Sequence, residues 1–201
     1  NFLKKINNQE RIFILGAGSN TLITDNMFDG IIIKLGKNFR NISLLGEDII
    51  IAGSAALDKS LSTFAAENSI AGFEFLSCIP GTIGGGIRMN AGCFNSEFKD
   101  LLLSVQAVDK FGNVKTILAK DIKFDYRKSN LPDDLVFLSA SFKAIRGKIN
   151  EIKDKIDKLK KEKEKNQPLK IKTSGSTFKN PIDQTNKKVW QLIKESVPLE
   201  K

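Results

Sequence analysis

Between Leu76 and Phe94 the chain reads LSCIPGTIGGGIRMNAGCF, which sets Gly81, Gly84, Gly85, Gly86 and Gly92 into one short stretch behind Ile79 and Pro80. Glycine loses more conformational freedom on folding than any other residue, so a stretch this rich in it is costly unless the backbone has to stay bare. Backbone N–H groups that converge with no Cβ between them suit an anion, and a diphosphate is the anion expected here. Pro80 stiffens the entry, and Gly81 with Thr82 can open a short helix whose N-terminus favours negative charge. The same residues also read as a structural loop packed on its neighbours.

A second glycine segment, GAGSN at Gly16 to Asn20, lies between two short buried-strand patterns, RIFILG and GIIIKLG. A dinucleotide fingerprint needs a third glycine leading into a helix, whereas Thr21 stands there and the residues after it are β-like. The Rossmann reading fails, but Gly16, Ala17, Gly18, Ser19 and Asn20 can still offer consecutive amides, a hydroxyl and a side-chain amide to phosphate oxygens. A Gly-Asn turn between strands is the plainer reading.

Strand candidates follow at Ile42 to Leu45 and Asp48 to Ala52, then a helix marked by Leu57, Leu61 and Phe64 and ending near Asn68. Beyond the glycine-rich stretch, LLLSVQAVD, VKTILA and DLVFLSASFKAI are apolar and rich in branched residues. This pattern predicts an α+β domain built on antiparallel pairs, without the strand–helix alternation of a doubly wound sheet. Gly147 marks a break into a lysine-rich helix, a turn at Gln167 and Pro168, the motif SGSTFKNP and a last helix, KKVWQLIKES.

The net charge of +9 raises the question of nucleic acid. The excess is local: between Lys148 and Lys172 stand ten lysines and five acids. Ile149, Ile152, Ile156 and Leu159 form an apolar stripe among them, and no aromatic residue is present to stack on bases. A solvated amphipathic helix is expected, with no nucleic-acid partner. The absence of histidine removes a Ser-His pair and leaves too few ligands for zinc, so no metal is expected. With only Cys78 and Cys93, no disulfide framework is expected and a reduced cytoplasm is the default. No apolar run reaches the ~20 residues that span a bilayer.

Taken together, GAGSN, IPGTIGGG with the following Asn90, Ala91 and Gly92, FDYRKS at Phe124 to Ser129, and SGSTFKNP at Ser174 to Pro181 resemble the UDP-N-acetylenolpyruvoylglucosamine reductase family, second type. These flavoenzymes complete UDP-N-acetylmuramic acid for peptidoglycan. The resemblance implies a two-subdomain FAD-binding fold of the vanillyl-alcohol-oxidase/PCMH type, followed by a partial α+β substrate-binding domain. The expected boundaries are 1–36 for a remnant of the first FAD-binding subdomain, 37–146 for the second and 147–201 for the substrate region. Both ends are expected to fall short of the family's full length.

It further implies a cytoplasmic monomer that uses FAD, with NADPH as reductant and UDP-N-acetylglucosamine enolpyruvate as substrate. Residues 16–20, Ile79 to Thr82, Gly84, Gly85, Asn90 to Gly92 and Tyr126 would line the cofactor. Arg127 would hold the substrate carboxylate and stabilise the enolate, a task suited to a planar, permanently charged fork. Ser176 would protonate C2, and Lys179 and Asn180 would bind substrate. Cys78, Gly86 and Cys93 depart from the family's more usual Gly, Ala and Ala, which hints at extra flexibility near Gly86. The family's C-terminal glutamate has no counterpart, since Glu195 lies in the last helix before the family's remaining motifs and Glu200 sits in a divergent tail, and little turnover is expected of residues 1–201 alone. Another FAD-dependent oxidoreductase on this scaffold would explain both glycine segments but not SGSTFKNP, and a non-catalytic remnant would bind no flavin.

Overall fold

The computed structural model describes residues 2–6, 10–167 and 177–197. The chain divides by its internal contacts into two units, Asn1–Lys165 and Asn166–Lys201.

In the first unit, β1 (Ile12–Ile14) pairs with β2 (Ile31–Ile33) in parallel. This departs from the expectation of antiparallel pairs only. The segment between the two strands, which carries GAGSN, is long enough for the crossover that a parallel pair requires. β3 (Ile42–Leu45) and β4 (Ile49–Gly53), both expected as strands, form a hairpin closed at Gly46 with φ +62°. α1 (Asp58–Glu67) follows, and Asn68 caps it by returning its backbone and side-chain N–H groups to the last turn. Next come β5 (Ile70–Ala71), a 3-10 segment at Glu74–Cys78, α2 (Ile83–Arg88), and the small hairpin β6 (Gly92–Cys93) with β7 (Ser96–Glu97).

β8 (Leu102–Val108) and β9 (Val114–Leu118) make a further antiparallel pair, then β10 (Phe124–Asp125) with β11 (Lys128–Ser129) a two-residue-per-arm hairpin. β12 (Val136–Lys143) runs through the centre of the main sheet, whose order β3-β4-β12-β8-β9 is antiparallel throughout. β13 (Ile145–Arg146) pairs with β5, and α3 (Ile149–Asn166) leaves from there.

Alternation along the central strands sends Ile50, Ala52, Val105, Ala107, Ala140 and Phe142 to one face of the sheet. That face meets Leu61 and Ala65 of α1 and Ile83 and Ile87 of α2, all essentially inaccessible. Phe98 sits between Phe75 and Phe142, with ring centroids 6.4 and 6.1 Å away, and Phe73 adds an edge-on contact to Phe142 at 6.0 Å.

The lysine-rich helix, which sequence alone groups with the substrate region, packs within the first unit. Ile152 and Leu159 are buried, while Ile149 at the start of the predicted stripe is exposed. The second unit contributes α4 (Val189–Ser196), whose first turn is held by Asn180 Oδ1 accepting the Val189 N–H at 3.1 Å and by Gln191 Oε1 accepting the Lys188 N–H at 2.8 Å. Among the described residues no helix is long and apolar enough to cross a membrane.

Candidate functional site

The two glycine segments meet. A Cβ on Gly16 would lie 2.7 Å from Thr82 Oγ1, so GAGSN approaches the second loop only because Gly16 lacks a side chain. Among the described residues, no backbone N–H from Gly16 to Asn20 donates to a protein acceptor, and residues 17–20 are exposed. Gly18 takes φ +79°, and a side chain there would meet nothing within 4 Å. Five successive amides without an acceptor among the described residues can serve as an anion nest.

The glycines of the second loop divide by what surrounds them. A Cβ on Gly81 would lie 2.5 Å from Asp58 Oδ2, one on Gly84 would lie 3.2 Å from Ser54 Cβ, and one on Gly86 would enter the Phe98 ring. These three are bare because the protein packs against them. The hint of flexibility at Gly86 is therefore corrected: the ring fills the space that an alanine methyl would need.

Gly85 is different. It is exposed within α2, and its Cβ would touch only Thr82 Oγ1, at 3.5 Å. The leading amides of α2 are partly spent, because Ile83 N–H donates to Ala56 O at 3.0 Å and Gly84 N–H to Ser54 O at 2.9 Å. Among the described residues the Gly85 N–H meets no acceptor. What this end of α2 leaves for an anion is the Gly85 N–H and the Thr82 hydroxyl beside it, the hydroxyl that Gly16 approaches.

Asp58, the first residue of α1, is fully buried behind Gly81, and neither of its carboxyl oxygens has a hydrogen-bond partner among the described residues. Burial pushes its pKa up to about 8. A neutral carboxyl here sets no negative charge beneath the amides, which keeps the cradle compatible with a diphosphate. Open amides, a bare Gly85 and an uncharged floor all fit that group.

A second cluster forms around Asn90, whose backbone takes φ +39° and whose side chain is fully buried. Its Nδ2 donates to Glu97 Oε2 at 2.9 Å and to Asp125 O at 3.3 Å, and its Oδ1 accepts the Lys99 N–H at 3.1 Å. The Asn90 side chain is thus a strut of the loop, and the backbone after it is also engaged: the Ala91 N–H donates to Gly86 O at 2.8 Å, Ala91 O accepts the Phe98 N–H at 3.1 Å, and a Cβ on Gly92 would run into Ser96 O and the Glu97 side chain. Arg127, at φ +56° in the turn between β10 and β11, donates from Nη2 to the Gly92 carbonyl at 2.5 Å. Its Nη1 stands 3.8 Å from Glu97 Oε1 and its Cζ lies 4.9 Å from the Tyr126 ring centre. Burial pushes the Cys93 thiol up to about 12, while Lys163 and Arg127 pull it the other way.

Cofactor-side residues 16–20, 79–82, 84, 85, 90–92 and 126 thus all lie in the first unit with Arg127, and two contacts join them: Gly16 with Thr82, and Gly92 with Arg127. Ser176 falls outside the described residues. Lys179 is exposed in the second unit, and Asn180 there anchors α4. Asp58, Glu97 and Lys163 escaped the sequence reading. Asp58 shows no motif, Glu97 stands in an ordinary turn, and Lys163 is one of many lysines in its helix.

A family described as "FAD binding domain" matches residues 2–118. The chain is 66% identical over 199 residues to UDP-N-acetylenolpyruvoylglucosamine reductase of Pelagibacter ubique, covering 99% of this chain and 66% of that protein. To the protein of the same name from Rickettsia typhi it is 46% identical, covering 96% of this chain and 64% of the relative. It therefore spans a little under two thirds of the length of these curated relatives. Among solved structures, UDP-N-acetylenolpyruvylglucosamine reductase (MurB) from Thermus caldophilus superposes with a TM-score of 0.82 at 30% identity, over 94% of this chain and 67% of that one. Carbon monoxide dehydrogenase from Hydrogenophaga pseudoflava superposes at 0.54 and 14% identity, a likeness of fold alone.

Proposed function

This chain belongs to the UDP-N-acetylenolpyruvoylglucosamine reductase family and carries its FAD-binding domain, and from that premise we propose that the intact protein reduces UDP-N-acetylglucosamine enolpyruvate to UDP-N-acetylmuramate. NADPH is the reductant, and the protein acts as a cytoplasmic monomer in peptidoglycan precursor synthesis. Cys78 and Cys93, both free thiols, accord with a reducing compartment. FAD, when bound, supplies the relay that carries hydride from NADPH to C3 of the enolpyruvyl group.

The protein's residues supply grip and charge. The open amides of Gly16 to Asn20 and of Gly85, with the Thr82 hydroxyl, hold the diphosphate. Ala91 and Gly92 lie against the ring system with little side-chain bulk, and Tyr126 flanks it. Arg127 binds the substrate carboxylate with the guanidinium edge that Gly92 and Glu97 leave free, and it stabilises the enolate charge that develops after hydride addition. Ser176 delivers the proton to C2 in a site from which water is excluded, and Lys179 and Asn180 bind the nucleotide portion.

The observation that supports this reading most strongly is the Arg127–Gly92 hydrogen bond, which unites a carboxylate-binding group with the Asn90–Gly92 turn across 35 positions of sequence. Replacing Ser176 by alanine in the intact protein tests it. Flavin reduction by NADPH should stay near the parent rate, whereas reoxidation by the enolpyruvyl substrate should slow by ~10²–10⁴. Rapid-mixing absorbance at the flavin band follows each half-reaction, and equal slowing of both, or of neither, would refute the role of Ser176.

A further inference from the structure

We propose that Lys163 is a positioning residue for the flavin loop, fixing the carbonyl of Cys78 so that the turn from Ile79 to Gly85 is held ready for FAD. Lys155, Leu159 and Lys163 fall at intervals of four along α3 and therefore form one stripe of the helix. Leu159 is buried in the core. Lys155 Nζ reaches Glu74 Oε2 at 3.4 Å, and the same oxygen accepts the Gly72 N–H at 3.0 Å. Lys163 Nζ donates to the Cys78 carbonyl at 2.6 Å. α3 thus grips both ends of the 3-10 segment Glu74–Cys78, the piece of chain that delivers Pro80 and Gly81 to the cradle.

The topology brings α3 to this place. β13 pairs with β5, Gly147 donates its N–H to Ser69 O at 2.8 Å, and its missing Cβ lets Ala71 and Ile152 close over it. The far side of the loop is already tied down, by Asp58 N–H to Gly81 O at 3.1 Å and by the Ile83 and Gly84 amides to Ala56 and Ser54. On the near side, Cys78 ends the 3-10 segment and Ile79 is extended. A carbonyl at such an end carries partial negative charge, and an ammonium is its favoured partner. The Lys163 charge also acts on the Cys93 thiol, pulling it down against the effect of burial.

Without that ammonium the Cys78 carbonyl loses a charge-assisted bond, and the loop must be ordered at the expense of FAD affinity. The inference rests on the reading that the Gly85 amide receives the diphosphate, and the test separates the two. FAD is titrated against the chain and against Lys163→Met, Lys163→Arg, Lys155→Met and Gly85→Leu, with flavin fluorescence for the dissociation constant and far-ultraviolet circular dichroism for Tm. Lys163→Met should raise the dissociation constant by about tenfold. Lys163→Arg, which keeps a charged donor, should restore it, and Lys155→Met should lower Tm without moving FAD affinity.

Gly85→Leu should abolish binding while the fold survives. Wild-type affinity in Lys163→Met, with binding lost in Gly85→Leu, would overturn the inference and leave the cradle reading standing. Unaltered binding in Gly85→Leu would overturn both. Should Lys163→Met not fold, Lys163→Gln carries the same expectation of weakened binding.

Discussion

Gly86→Ala is the substitution whose cost the structure fixes best. An added methyl would overlap Cε2 and Cζ of Phe98 and stand 3.0 Å from Cδ2. The ring cannot step aside, since it is 1% exposed and flanked by Phe75 and Phe142. Overpacking a filled core costs ~1–3 kcal/mol, and a clamped ring puts this site near ~3. Alanine returns ~1 kcal/mol over glycine within a helix. The net loss is ~2 kcal/mol, which for a chain of this length lowers Tm by ~4–8 °C. Thermal unfolding followed by circular dichroism reads it directly. In a Phe98→Leu background the clash is gone and the same alanine should be neutral or stabilising. A raised Tm in the parent, or an equal cost in both backgrounds, would refute the packing argument.

Two further expectations concern pH. The folded state holds the Asp58 carboxyl near 8, above its unfolded value of ~3.9, so ionisation of the unfolded chain drains stability as pH climbs between those values. The Tm difference between Asp58→Asn and the parent should therefore shift in favour of the variant from pH 4 to pH 8, and a pH-independent difference would count against a buried, unpartnered acid. Asp109 behaves in the opposite sense: the Asn113 N–H, then Lys115, hold it down to about 2. Its contribution is complete above the unfolded value of ~3.9 and lost as pH falls through about 2, so the destabilisation of Asp109→Asn at pH 7 should fade on acidification across that window.

The strands and α1 were legible because period-2 and period-3.6 patterns survive in any buried sheet and helix. Direction was not: nothing in RIFILG or GIIIKLG separates a parallel from an antiparallel pair, which depends on the path between them. The glycine stretch announced a cradle but not its division of labour. Only neighbours distant in sequence, Phe98 for Gly86 and Ser54 for Gly84, reveal that most of these glycines serve packing and that Gly85 stays open. The lysines of α3 looked alike in sequence, and the placement of β13 beside β5 decides which of them turn inward. Arg127 could be picked out by its motif, whereas its partners Gly92 and Glu97 emerge only when two small hairpins fold against each other.

One anaerobic experiment tests the proposed FAD site and its service in the reduction of an enolpyruvyl nucleotide sugar. The intact protein is loaded with FAD, reduced with a single equivalent of NADPH, and mixed with UDP-N-acetylglucosamine enolpyruvate while the flavin band is recorded. Rapid return of the oxidised flavin spectrum, with UDP-N-acetylmuramate formed in equal amount, is the predicted result. A flavin that stays reduced in the presence of this substrate, or a protein that retains no flavin at all, would contradict the account.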